Sequence, residues 1–287
     1  MPANENSLAG QVHSGYTLLK RIGAGSFGVV YSASKGDKQV AIKLPEGKDG
    51  CVRFLEHEIS MYKCTKLPHS VVTIDSKKCL VMPLHGKNLE QMIETHGKFS
   101  LKNVLLVAIN GIRLLKEIHS KGVIHRDVKP GNFALGTGSG ENLYLIDLGL
   151  SKKYIGTRGH CEMTNKDSFR GTTRYASINA HDLLEQSRRD DLESLAYTLV
   201  YLFKGSLPWQ SRGIPKEDRN EYVKKIKKET SVETLCADMP REFEVYLRYI
   251  KTIDFTEKPP YTSFITMFTR LYSSRGYIHA TFSFPEL

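Results

Sequence analysis

Within IHRDVKPGN, at 124–132, a carboxylate (Asp127), an ammonium (Lys129) and an amide (Asn132) follow one another closely. A carboxylate can accept a proton, an ammonium can steady an anion, and an amide oxygen can sit against a hard cation. Pro130 and Gly131 bar a helix, and apolar runs flank the stretch, so these groups belong to a loop carried by buried neighbours. The bland alternative is a solvated polar turn. The rest of the chain decides between them.

Other stretches carry matching chemistry. Gly23-Ala24-Gly25-Ser26-Phe27-Gly28-Val29-Val30 is a G-x-G-x-x-G-x-V pattern. In a dinucleotide-binding fold such glycines open a helix, whereas here β-branched and aromatic residues continue as a strand. A glycine hairpin between strands lets backbone N–H groups approach phosphates. Val40-Ala41-Ile42-Lys43 ends an apolar alternation on a lysine. In the helix expected next, Leu55, Glu58, Ile59 and Tyr62 share one face, so Glu58 turns inward and Glu56 outward. An inward carboxylate needs a cation, and Lys43 can serve. Asp147-Leu148-Gly149 places another carboxylate at the end of a short apolar run.

These groups must be positioned by a well-packed chain. The 287 residues are 40% hydrophobic and 25% charged, enough for one or two domains with a proper core. No apolar run reaches the length of a membrane span, and residues 1–15 do not resemble a signal peptide. The five cysteines are scattered and form no C-x-x-C pair, which argues against a disulfide framework or a zinc site and for a reduced compartment. A formal charge of +10 points to an anionic partner without choosing one. Strands are expected at 16–22, 29–33, 39–44, 71–74 and 78–82, with one helix at 52–66. Beyond Pro83 the pattern becomes mostly helical, with expected helices at 89–95, from a Ser100 cap to His119, at 191–204, 216–228, 241–252 and 262–273. Two short apolar runs, 133–135 and 143–146, follow the Asp127 loop.

Taken in order, Gly23/Gly25/Gly28, Lys43, Glu58, Asp127, Lys129, Asn132 and Asp147 follow the pattern of the eukaryotic protein kinases from about residue 16 to the C terminus. Within that superfamily the chain resembles casein kinase 1. The family's features stand as HRDVKPGNF at 125–133, LSKKY at 150–154, GTTRYASINAH at 171–181, EQSRRDDLESLAY at 185–197 and GSLPWQ at 205–210. Ser177-Ile178-Asn179 takes the place of the Ala-Pro-Glu of most protein kinases. Leu148 replaces the usual Phe after the metal-binding aspartate and keeps its apolar character. The resemblance implies an α+β, bilobal kinase fold: an antiparallel-sheet N-lobe with one main helix (16–82), a hinge (83–86) and a larger, mostly helical C-lobe (87–287), after a lead-in (1–15).

The resemblance also implies a non-specific serine/threonine protein kinase using ATP and Mg2+. Asp127 would deprotonate the substrate hydroxyl, Lys129 would steady the transferring phosphoryl, and Asn132 and Asp147 would hold metal. Lys43, with Glu58, would position ATP. Ile22, Gly23, Ala24, Gly25, Ser26, Phe27, Gly28, Val30 and Ala41 would surround the nucleotide. Met82 would be the gatekeeper, and the hinge donor must come from Leu84, because Pro83 has no N–H. Asp191 would brace the catalytic loop. The family favours acidic or phosphorylated protein substrates, which calls for a basic pocket: Arg174 first, with Arg126, Lys152 and Lys153 as helpers. Where the family carries a lysine after Pro-Trp-Gln, this chain has Glu221 and keeps only Arg219, which puts strong phosphate priming in question.

Further expectations are activity with little dependence on activation-loop phosphorylation, with Thr172 and Thr173 as ordinary loop threonines. Lys224–Lys228 is expected to be a solvated basic helix face rather than a nuclear-import patch. The chain is expected to lack the regulatory tail of many relatives, to be a monomer, and to reside in the cytoplasm and also the nucleus. The alternative reading is a catalytically weak kinase-fold scaffold, disfavoured because Lys43, Asp127 and Asp147 are all present. A nucleic-acid-binding reading rests on charge alone, with no recognisable module. Vaccinia-related and tau-tubulin kinases are neighbouring branches.

Overall fold

A computed structural model describes residues 8–25, 28–46, 49–138, 142–210 and 213–284. The chain divides into two compact units: residues up to Gly86 together with Asp147–Gly149, and Lys87–Ile146 together with the remainder from Leu150.

The first unit is built on a wholly antiparallel sheet. Its strands are β1 (Val12–His13), β2 (Tyr16–Gly25), β3 (Gly28–Lys35), β4 (Lys38–Leu44), β5 (Ser70–Ile74) and β6 (Lys77–Pro83), with α1 (Asp49–Thr65) between β4 and β5. The spatial order is β1-β2-β3-β4-β6-β5. Leu18, Val29, Tyr31, Ala33, Ile42, Ile74, Cys79 and Val81 form its core, contributed by alternate positions of the strands. The β5–β6 turn is tight because Asp75 and Ser76 both take left-handed conformations, the geometry that matches strand twist in a two-residue hairpin. The expected strands all form. The additional one, β1, comes from the stretch read as lead-in, where Val12 and His13 pair with Thr17 and Tyr16.

The second unit is mostly helical. Its main elements are α2 (Leu89–His96), α3 (Leu101–Ser120), the short strands β7 (Val123–Ile124), β8 (Phe133–Leu135), β9 (Leu143–Leu145) and β10 (Lys152–Lys153), and α4 (Ile178–His181). They are followed by α5 (Arg188–Lys204), α6 (Arg219–Glu229), α7 (Val232–Cys236), α8 (Arg241–Thr252) and α9 (Tyr261–Ser274). Asn88 and Gln91 close a capping box at the start of α2, and the Ser100 hydroxyl accepts from the Asn103 amide at the start of α3. Gly205, left-handed, ends α5. Helices α3 and α5 form the middle of the core, with α8 and α9 packed around them. None of the five cysteines, all among the described residues, forms a disulfide. No helix among the described residues is long and apolar enough to cross a membrane.

One expectation fails in α6. Lys227 is not solvated: it is 2% exposed and lies beneath the segment around Thr173. The polar composition of KKIKK hides an inward face that Val223 and Lys227 share one turn apart.

Helices α3 and α5 approach closely at Gly111. A Cβ there would lie 3.1 Å from Leu195 Cδ1 and 3.6 Å from Phe133 Cζ, so this contact joins both helices to the strand that follows the Asp127 loop. Gly111→Val is expected to cost about 1–3 kcal/mol through overpacking, despite removing a helix-weakening glycine. Urea unfolding of the two proteins measures it.

Candidate active site

In the first unit the glycine stretch forms the β2–β3 hairpin, with Gly23 opposite Val30 and Gly25 opposite Gly28. Ser26 and Phe27 lie outside the described residues. Gly28 has φ +135°, and a Cβ there would meet the Leu44 carbonyl oxygen at 2.1 Å, so no side chain fits. Ala24 and Ile22 are exposed on β2. On the neighbouring strands Val30 pairs with Lys43, Ala41 with Met82, and Val40 with Pro83. Leu84 follows directly, half-buried.

Lys43 Nζ lies 2.7 Å from Glu58 Oε2 and 3.3 Å from Asp147 Oδ1. Glu58 is 1% exposed, whereas Glu56 faces outward and pairs with Lys78, so the helical spacing assigned both carboxylates correctly. Burial pushes the Glu58 carboxyl up to about 7, against the pull of Lys43. Burial pulls the Lys43 ammonium down, but Asp147 and Glu58 more than reverse this and leave it raised. Asp147 is left-handed (φ 65°), and its Oδ1 accepts from the Gly149 amide at 3.2 Å. Leu148 is fully buried, in keeping with its reading as an apolar substitute for Phe.

In the second unit Asp127 is held on several sides. Lys129 Nζ lies 2.7 Å from its Oδ2, the Thr172 hydroxyl donates to its Oδ1 at 2.7 Å, and Asn132 Nδ2 donates to its carbonyl at 2.8 Å and its Oδ2 at 3.1 Å. Lys129 Nζ also donates to Thr172 Oγ1 at 3.0 Å. Pro130–Asn132 turn once as a short 3-10 helix that begins on the proline, so the expected bar to an α-helix holds. Sequence reasoning missed Thr172, which is no ordinary loop threonine. Its signal was only its place in GTTRY, well separated in sequence from Asp127.

Asp191 on α5 braces the loop, as its burial beside that loop requires. Its Oδ1 accepts from the Arg126 amide at 2.7 Å, and its Oδ2 from the His125 amide at 2.7 Å and from His119 Nε2 at 2.8 Å. This clamp holds Arg126 left-handed at φ 66°. Burial pushes the Asp191 carboxyl up, but the His119 bond and the other donors outweigh it and hold it below its ordinary range. His125 accepts from the Asp127 amide on Nδ1, which assigns its Nε2 as the proton-bearing nitrogen, donating to the Ile146 carbonyl at 3.1 Å. The stretch is thus a rigid polar loop, not a solvated turn.

The Ser177-Ile178-Asn179 triplet is tied to the same helix. Ser177 Oγ and Asn179 Nδ2 donate to Asp190 Oδ1 at 2.7 and 3.0 Å, and the Ile178 amide donates to Glu193 Oε1 at 3.0 Å. The basic residues expected to form one pocket fall into two settings. Arg174 stacks over Tyr175 and Tyr201, with Glu90 Oε1 at 3.7 Å. Lys152 pairs with Glu185 at 2.6 Å, which also pairs with Lys166, while Arg126 spends its Nε on the Leu150 carbonyl and feels the Glu185 charge. Lys153 is exposed. Glu221 is largely exposed, 4.0 Å from Lys224.

The donor chemistry suits magnesium. Asn132 spends its amide hydrogens on Asp127, which leaves an oxygen as the donor it offers, and Asp147 contributes a carboxylate. Each of these oxygens by itself is of the kind a hard cation takes, with phosphates and water as further ligands. Among the described residues there is no cluster of three or more His, Cys, Asp or Glu that could hold a metal by themselves.

Two outcomes test this framework. Asp191→Asn turns an amide hydrogen toward the backbone donors and should cost about 3–5 kcal/mol in stability, measured by chemical unfolding. His181, at the end of α4, is buried against Lys227 Nζ and the Thr173 carbonyl, both at 3.2 Å. Burial, then the charges of Lys227 and Lys224 against the weaker pull of Asp182, lower its pKa to about 3. The unfolded chain binds this proton below about pH 6.5 and the folded chain does not, so stability is lost as pH falls from there. His181→Gln should remove up to about 1.4 kcal/mol per pH unit from that slope, read from unfolding between pH 7.5 and 5.

Residues 16–267 match the family described as the protein kinase domain. The match runs from β2 into α9 and takes in both units and every residue placed in the site. A glycine hairpin, a buried Lys–Glu pair and a braced aspartate loop are the parts a phosphoryl transfer from ATP needs. The chain therefore has the bilobal kinase fold and belongs to the protein kinases, phosphotransferases that use ATP.

Proposed function

We propose that this protein is a serine/threonine protein kinase of casein kinase 1 type, acting on acidic or phosphorylated protein substrates with little dependence on activation-loop phosphorylation. The observation that carries the reading is the Asp127 carboxylate, gripped by Lys129, Thr172 and Asn132 next to a segment fixed by the chain's own groups. Glu185 pairs with Lys152 and Lys166, and Asp190 and Glu193 hold the Ser177–Asn179 triplet. That arrangement supplies internally the negative charge that an added phosphate would otherwise bring.

In the mechanism, Asp127 orients the substrate hydroxyl and takes its proton as the oxygen attacks the γ-phosphorus and ADP leaves. Lys129, within reach of both Asp127 and Thr172, steadies the transferred phosphoryl. Lys43, fixed by Glu58, holds the α- and β-phosphates, and the Gly23–Gly28 hairpin covers them. Asn132 and Asp147 would hold magnesium, which supplies charge neutralisation on the phosphates. Arg174 is the candidate for reading an acidic or phosphorylated residue near the target; Glu90 already answers part of its charge, and Glu221 adds none. The preference for a phosphorylated residue is therefore modest. Cytoplasmic and nuclear location and a monomeric state belong to the same proposal.

The test is transfer of labelled phosphate from ATP with magnesium to matched peptides, one with phosphoserine before the target serine, one with an acidic run and one neutral. Asp127→Asn should lower transfer by at least about 1000-fold, since it removes the proton acceptor and upsets the grip around it. The phosphorylated and acidic peptides should be preferred a few-fold, through Arg174. Equal use of the peptides would remove the anion-reading role and keep the kinase. No transfer to any peptide, with ATP still bound, would favour a kinase-fold scaffold.

A further inference from the structure

Lys227 is buried at a place where no sequence pattern called for a charge. Its Nζ donates to the carbonyls of Thr173 at 3.0 Å and Ala176 at 2.6 Å, lies 3.2 Å from His181 Nε2, and sits over the rings of Tyr197 (4.9 Å) and Trp209 (5.1 Å). No carboxylate reaches it as an ion-pair partner among the described residues, although Glu193 attracts it through space and Lys251 repels it. A buried ammonium is costly unless its hydrogens are used, and here backbone carbonyls and π faces use them.

Those carbonyls belong to one short stretch. Between the two that Lys227 holds, the Arg174 carbonyl accepts from Trp209 Nε1 at 2.7 Å. At one end of the stretch the Thr172 hydroxyl bonds Asp127; at the other Ser177 bonds Asp190. The underside of 172–177 is therefore pinned by α6 and the Trp209 loop, and its ends are pinned by the catalytic carboxylate and by α5. A polypeptide that offers a hydroxyl to Asp127 must run past this stretch.

We propose that Lys227 is a positioning residue for the protein substrate: by fixing the Thr173 and Ala176 carbonyls it sets the backbone that receives the substrate chain and keeps Thr172 in register with Asp127. The inference rests on the kinase reading above. It assigns α6 a part in substrate recognition that acts from beneath, through the backbone, without touching the substrate.

The experiment compares the full chain with Lys227→Met, which keeps the stem and removes the donors, and Lys227→Gln, which keeps one donor group. Peptide KM should rise about tenfold or more in Lys227→Met, with kcat reduced, while ATP affinity measured by calorimetry stays as in the unaltered protein. Lys227→Gln should recover part of the loss. Hydrogen exchange should quicken at the amides of Tyr175 and Ala176, both bonded to the Thr172 carbonyl, and stay unchanged within α3 and α5. Unchanged peptide kinetics and exchange in variants of an active protein would overturn the assignment and leave the kinase reading intact. Failure of both variants to fold, or equal losses of ATP and peptide binding, would also overturn it, because Lys227 would then serve stability alone. An unaltered protein that phosphorylates no peptide would bring down the kinase reading and this inference together.

Discussion

The carboxylate of Asp191 is the constraint on which the second unit's chemistry depends. One buried side chain satisfies two adjacent backbone amides and a histidine, and in doing so holds a non-glycine residue, Arg126, in a left-handed turn. That turn brings the next residue, Asp127, to Lys129, Thr172 and Asn132. The bonds to charged acceptors are the strong kind, and their loss would leave several buried donors unmet at once. Helix α5 is thus a fixture as well as a core element: Asp190, Asp191 and Glu193 hold the Ser177–Asn179 triplet and the catalytic loop from one helical turn.

The first unit solves a different problem, that of keeping a buried cation charged. Lys43 is kept charged by two carboxylates from distant parts of the chain, and Glu58 is buried deeply enough that its ionised form depends on Lys43, helped by a bond from the Leu148 backbone. The sheet fixes the stem of Lys43, and the helix fixes Glu58, so neither loses much freedom when the pair forms.

Much of this was legible in residue order. The inward turn of Glu58 followed from i, i+3, i+4 spacing, and the Ser100 cap and the long helices announced themselves through periodicity. Asp191 could be placed because the resemblance to the protein kinases implies a carboxylate that braces the loop from that helix. What escaped was whatever depends on approach between remote segments. Thr172 meets Asp127, and Lys227 slides under Thr173, through tertiary packing that leaves no local trace. Two-residue strands such as Val123–Ile124 and Lys152–Lys153 are too short to show a period of two. The basic residues were gathered into one pocket because sequence lists charges without their partners; Glu185 and Glu90 divide them.

The assignment of Asp147–Gly149 to the first unit, amid residues that belong to the second, has a consequence for how the chain comes into being. As the protein emerges from a ribosome, its sheet is fully synthesised long before the aspartate that completes the environment of Lys43. Until then Lys43 has Glu58 alone, and the nascent N-terminal portion carries an unfinished buried charge cluster. The catalytic loop at 124–132 is translated inside that interval. The environment of Lys43 is therefore complete only after the Asp127 loop has been made, and a chain interrupted between the two lacks both Asp147 beside Lys43 and Asp191 beside Arg126.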